Sequence, residues 1–154
     1  MPFPLSTTIT AGQAGHAGLH AEERAALNEL WEATARDTGV RDVSALLLNG
    51  WVLDAGGYVR VRRVGKTLTY SIRGLNGANA ADGRVLAGLP GFEVAAAVII
   101  IPEFDSNAIG YGGVITEDGG MYSPPGTHFT AIRTNVVRAT TESAWPTALP
   151  GVAV

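Results

Sequence analysis

No cysteine occurs among the 154 residues, which excludes a disulfide framework and a thiolate metal site and leaves the redox compartment open. Charge is scarce as well: Asp, Glu, Lys and Arg make up 16% of the chain, against roughly 25% in ordinary soluble domains. So little charge beside 20 glycines implies that neighbouring chains cover much of the surface, as in an obligate assembly component. Long hydrophobic runs are missing. The longest, Val94 to Ile101, is far short of the roughly 18 residues that a membrane span needs. The opening Met-Pro-Phe-Pro-Leu-Ser-Thr-Thr has no basic segment followed by an apolar one, so a soluble protein made in the cytoplasm is expected, with no membrane partner. A basic excess is missing too. The net charge is −3 and the eleven basic residues are scattered, except for the cluster from Arg60 to Lys66, which argues against nucleic acid as a partner.

What is present is a strong β pattern. In Tyr58 to Arg73, Val59 and Val61 alternate with Arg60 and Arg62, and Leu68, Tyr70 and Ile72 alternate with Thr67, Thr69, Ser71 and Arg73. Hinged at Gly65-Lys66, this reads as a β-hairpin with one oily and one wet face, its arginines outward and solvated. The consecutive Arg62-Arg63 breaks the alternation, and a bulge is expected there. Residues 1–20, with Gly12, Gly15 and Gly18, read as an extended attachment arm. Residues 21–37 read as one short helix with acids in its first turn, Ala-rich filling and Gly39 just beyond. Leu27, Leu30, Trp31 and Thr34 lie on one face but span fewer than two heptads, so the helix must dock on the β-domain or bundle with copies of itself.

Residues 43–154 read as strands and turns. Val43 to Leu48 leads to the turn pair Asn49-Gly50, Trp51 to Leu53 runs to a loop at Ala55-Gly56-Gly57, and Arg84 to Leu86 follows the hairpin. Val94 to Ile101, lacking polar alternation, reads as a strand covered on both faces. A second hairpin is expected around Glu117-Asp118-Gly119-Gly120, and a last strand within Thr127 to Thr141. The fold class that results is mainly β, an antiparallel, jelly-roll-like β-sandwich behind an arm and a helix.

Chemistry is poorly represented. His16 and His20 stand four apart, but Gly18 lies between them without the Glu of a metalloprotease helix, and a polar helix start is the simpler reading. Glu103 and Asp105 could pair for glycoside hydrolysis, yet lack an aromatic sugar cleft; a solvated turn entry fits better. Glu117 and Asp118 are turn residues. Gly110-Tyr-Gly-Gly113 lacks the Lys and the strand-to-helix setting of a phosphate loop. His128 reads as a surface or interface residue. The expectation is a non-enzyme without metal or cofactor.

Several segments together carry a family likeness. Ser44-Ala-Leu-Leu-Leu-Asn-Gly-Trp51, Val59-Arg-Val-Arg-Arg-Val-Gly65, Leu68-Thr-Tyr70, Gly74-Leu-Asn-Gly77, Leu89-Pro-Gly-Phe92 and Ala144-Trp-Pro-Thr-Ala-Leu-Pro-Gly151 resemble the C-terminal β-domains of minor tail proteins and fibres from phages of actinobacteria. Gly15-His-Ala-Gly-Leu-His20 resembles the short element ahead of such domains. The resemblance implies a virion surface protein, a homotrimer whose partners are itself and phage capsid or tail proteins, with Trp51 a core anchor, Gly65 a turn and Trp145-Pro146 a packed terminus. A chain this short suits a stubby tail knob or a capsid decoration protein. The expected attachment residues are Phe3, Leu5, Ile9 and His16, and the expected trimer contacts are Leu27, Leu30, Trp31, Val98 and Ile100. The alternative is a carbohydrate-binding module that holds cell-wall glycans through Tyr111, Tyr122 and Trp145.

Overall fold

A computed structural model describes residues 16–100, 112–126 and 135–154. Helix α1 spans His16–Thr34. The strands are β1 (Arg41–Asp42), β2 (Val52–Val64), β3 (Thr67–Asn76), β4 (Arg84–Leu86), β5 (Val98–Ile100), β6 (Gly113–Ile115), β7 (Met121–Tyr122), β8 (Asn135–Thr140) and β9 (Val152–Ala153). They form two antiparallel sheets, one ordered β8-β3-β2-β1-β9 and the other β4-β7-β6-β5. Both sheets contribute to one core: Val59, Val61, Leu68, Tyr70 and Ile72 from the first, and Leu86, Ile100, Ile115 and Met121 from the second. A jelly roll interleaves its strands between the sheets. Here, among the described residues, β1 to β3 stay in one sheet, β4 to β7 lie in the other, and β8 and β9 return to the first, an arrangement consistent with a β-sandwich.

The long hairpin forms where the alternation places it. Val64 pairs with Thr67 across Gly65-Lys66, and Gly65 has the positive φ, 53°, that the first position of a type II′ turn requires. The expected bulge at Arg62-Arg63 is absent. Pairing runs unbroken from Tyr58 opposite Arg73 to Val64 opposite Thr67, so Arg63, two residues after Val61, faces inward and is 4% exposed. A two-residue loop leaves no slack for an extra residue beside it, and the arginine keeps the phase by turning its side chain into the interior. The irregularity falls instead between Leu53 and Tyr58, where Asp54 to Gly57 lie opposite Gly74. The expected loop at Ala55-Gly56-Gly57 is thus a bulge inside β2. Gly57 is required there, because a Cβ would come within 2.9 Å of the Arg73 and Asp54 carbonyl oxygens.

Three further segments differ from expectation. Helix α1 begins at His16, taking in residues read as arm, because one Gly costs only about 1 kcal/mol in an Ala-rich helix. It stops at Thr34 rather than 37, since the next residues already belong to the sheet: Gly65 N–H donates to Arg36 O at 2.7 Å, and Asp37 bridges to Val64. Val43 to Leu48 is no strand. Asp42 accepts the Ser44 N–H at 2.9 Å and the chain turns into a 3-10 segment, Ser44–Leu46. In the apolar run only Val98–Ile100 is a strand within the described residues, and it lies at the edge of its sheet. Ile99 is 70% exposed, so the strand is covered on one face, not two.

Candidate functional site

Arg63 shows what most of the sequence motifs are for. Its Nε donates to Gly65 O at 2.9 Å, Nη1 to Gly91 O at 2.5 Å and Ala144 O at 2.9 Å, and Nη2 to Ser143 O at 2.8 Å. Its guanidinium also lies 4.9 Å from the Trp145 ring centroid, and that of Arg36 lies 4.6 Å from the same ring. Pro146 occupies the space that a side chain at Gly91 would fill. Val59–Gly65, Leu89–Phe92 and Ala144–Gly151, far apart in the chain, therefore meet around one buried cation. Burial pushes the Arg63 pKa down from its ordinary value, the nearby Glu93 opposes that, and the guanidinium stays charged. Trp51 works likewise. Its ring fills the space over Gly77 and its Nε1 donates to Asp82 O at 2.9 Å, tying Asn49-Gly-Trp51 to Gly74–Gly77. Among the described residues these motifs hold the scaffold together.

The same junction fixes where α1 leaves the β-domain. Asp37 pairs with Arg62 at 2.6 Å, and the hydrogen bond from Arg62 holds the Asp37 carboxyl below its usual range. Beyond that anchor the helix runs largely alone. From His20 to Leu30 every side chain is exposed except the half-buried Arg24; Leu27 is 52% and Leu30 59% exposed. No extended packing joins α1 to any strand among the described residues. Trp31 is half-buried at its foot.

The expected trimer contacts therefore divide. Leu27 and Leu30 form an open apolar stripe, whereas Ile100 is fully buried within its own chain and Val98 packs against the core. Ile100 is corrected to a core residue, because in a one-sided edge strand alternate residues must turn inward. Its neighbour Ile99 is the exposed one. Of the expected glycan contacts, Tyr122 is 45% exposed. Trp145 is half-buried against Arg36 and Arg63, which corrects it to a structural residue. Tyr111 lies outside the described residues, as do Phe3, Leu5, Ile9, Glu103, Asp105 and His128. His16 opens α1. His20 is an exposed neighbour of Glu23 at 3.3 Å, and no group of residues able to hold a metal occurs among the described residues.

The remaining polar clusters are turns and sheet-face pairs. Asp118 accepts hydrogen bonds from Thr116 Oγ1 at 2.6 Å, Arg84 Nη2 at 2.5 Å and Gly120 N–H at 3.0 Å, which hold its pKa down at about 2. Burial works against ionised Asp42, but bonds from Ser44 and Arg60 outweigh it and lower its pKa. Tyr70 is fully buried, with its hydroxyl 3.0 Å from Phe92 O and 3.1 Å from Gly119 O, and burial raises its pKa. A groove of about 410 Å³ lies between Ala95–Val98 and Arg138–Thr140, lined by four alanines and Val98 with Thr67, Arg138 and Thr140. The inward Arg63 was detectable in advance: it continues the parity of Val59 and Val61. No family model, curated protein or solved structure matches the chain.

Proposed function

We propose that this chain is a structural component of a phage virion, a homotrimeric surface protein of the tail or capsid that attaches through its N-terminal arm and turns its β-domain outward. The observation that supports assembly is the uncovered α1. Most helical stability in proteins comes from packing an apolar face against something else, and this helix of 19 residues exposes Leu27 and Leu30 on one side. Copies bundled along that stripe would remove it from water, with Trp31 at the base and Glu22 and Glu29 outside. The clamped junction at Asp37 and Arg63 would hold each β-domain at a set angle to the bundle. Phe3, Leu5, Ile9 and His16 are assigned to capsid or tail proteins, and the role is non-catalytic. The phage assignment rests on the sequence resemblance.

Two experiments test this reading. Leu27→Glu with Leu30→Glu should convert a trimer to a monomer that retains its β-sheet circular dichroism. Deleting residues 2–15 should leave a folded trimer that no longer enters particles when co-expressed with the virion proteins. Normal incorporation of the deletion variant would dispose of the arm assignment, and a monomeric parent chain would dispose of the trimer.

A further inference from the structure

The outer face of the four-stranded sheet carries an aromatic surface that the assembly proposal does not use. Register places Ile99 beside Val114, Val114 beside Tyr122, and Tyr122 beside Arg84, one row across all four strands. Residues of this row point away from the core, since their neighbours Ile100, Ile115 and Met121 are fully buried. Position 83 under the row is glycine for a reason. A Cβ there would lie 2.3 Å from Tyr122 Cζ and 2.5 Å from its hydroxyl oxygen, so the phenol ring rests where that side chain would be. Trp51 sits over Gly77 in the same manner but is 4% exposed, whereas Tyr122 is 45% exposed. One ring is a core anchor; the other is held against the backbone and left open.

From this arrangement we infer that Tyr122, with Val114 and Arg84, forms a binding site for a neutral pyranose sugar of a surface glycan. A pyranose has an apolar C–H face and a rim of hydroxyls, and the site offers both complements. The seated ring and Val114 supply a flat apolar floor already ordered by Gly83, so little conformational freedom is lost on binding. Beside them, Arg84 and Asp118 form an ion pair at 2.5 Å with side chains 33% and 51% exposed, so its solvent-facing side can exchange hydrogen bonds with hydroxyls. The pair is electrically neutral, which favours an uncharged sugar over an acidic one. Size also argues against a second copy of the chain as the occupant. Three apolar side chains, at about 150–250 Å² for a large aromatic, fall below the roughly 800 Å² per partner of a stable protein interface.

The test is a titration of the ¹⁵N-labelled full chain with glucose, galactose, mannose and rhamnose, followed by amide shifts. The expected result is saturable shifts with at least one sugar, centred on Gly83, Arg84, Val114, Asp118 and Tyr122. Tyr122→Ala should weaken binding about tenfold or more, while Tyr122→Phe, which keeps the ring, should stay within about threefold. Gly83→Ala should also lose binding, because its Cβ lifts the ring while leaving Tyr122 chemically intact. Thermal melts confirm that each variant is folded. Absence of shifts with every sugar, shifts centred elsewhere, or full binding by Tyr122→Ala overturns the site. A change of oligomeric state in Tyr122→Ala without sugar binding by the parent also overturns it, in favour of a subunit contact. Because the assembly variants at Leu27 and Leu30 are read separately, failure of the sugar site leaves the trimer proposal standing, and the reverse.

Discussion

Replacing Arg63 with alanine should remove the strongest single tie in the β-domain. Its guanidinium donates to the carbonyls of Gly65, Gly91, Ser143 and Ala144 and stacks over Trp145. Hydrogen bonds to a charged group contribute roughly 1.5–3 kcal/mol each, but burying the cation itself costs several kcal/mol, so the pieces do not add. Arg63→Ala leaves the carbonyls of Gly65, Gly91, Ser143 and Ala144 without that partner, at about 1–3 kcal/mol for each that stays buried and unsatisfied, and relief of the buried cation offsets part of this, so the net loss is about 3–5 kcal/mol. In a domain of this size that corresponds to a fall in Tm of roughly 10 °C or more. The control is Arg62→Ala, one residue away on the opposite face. Its ion pair with Asp37 has side chains 48% and 35% exposed, and such surface pairs contribute about 1 kcal/mol or less. Urea denaturation monitored by circular dichroism and by tryptophan fluorescence would measure both. Arg63→Lys should fall between them, since an ammonium cannot reach carbonyls in several directions through a planar fork. Equal stability losses in Arg63→Ala and Arg62→Ala would refute the reading of Arg63 as a buried staple.

Three other outcomes are expected. Gly91→Ala should destabilise by about 1–3 kcal/mol, since φ is 80° there and a Cβ would lie 2.6 Å from Pro146; chemical denaturation checks it. Asp37, Asp42 and Asp118 all have depressed pKa values in the fold, so their stabilisation is complete above the unfolded value of 3.8. It is lost as pH falls through the folded values, about 2 for Asp118. Stability should therefore decline on acidification through that window, and Asp118→Asn should flatten part of the decline. The Leu27→Glu, Leu30→Glu variant should lose helical signal as well as association, because helices in proteins draw most of their stability from packing of an apolar face.

Much of the scaffold could be read from residue patterns, because period-2 alternation and turn chemistry act locally. The hairpin, its Gly65-Lys66 loop and the Glu117–Gly120 turn form where their residues place them. Errors arose where a distant group decided the outcome. Arg63 keeps the parity of Val59 and Val61, but an arginine is tolerated on that inner face only because carbonyls from residues 91 and 143–144 await it. Val94 to Ile101 is uniformly apolar, yet among its described residues only Val98–Ile100 is a strand, and Ala95 N–H is taken by Thr140 O at 2.9 Å. Trp145 illustrates the same point for function. An aromatic in a Pro-rich tail looks available for a ligand until two arginines from remote segments are found over it. Tyr122 remained open, and the glycine that seats it lies 39 residues away in sequence, visible only after β4 and β7 pair.

The most direct measurement of the central claim is the mass of the full chain by sedimentation equilibrium across a range of concentrations. A species of three times the 16.0 kDa chain, persisting on dilution and abolished by Leu27→Glu with Leu30→Glu, is the expected result. A 16.0 kDa monomer at every concentration, with α1 still helical by circular dichroism, would contradict it.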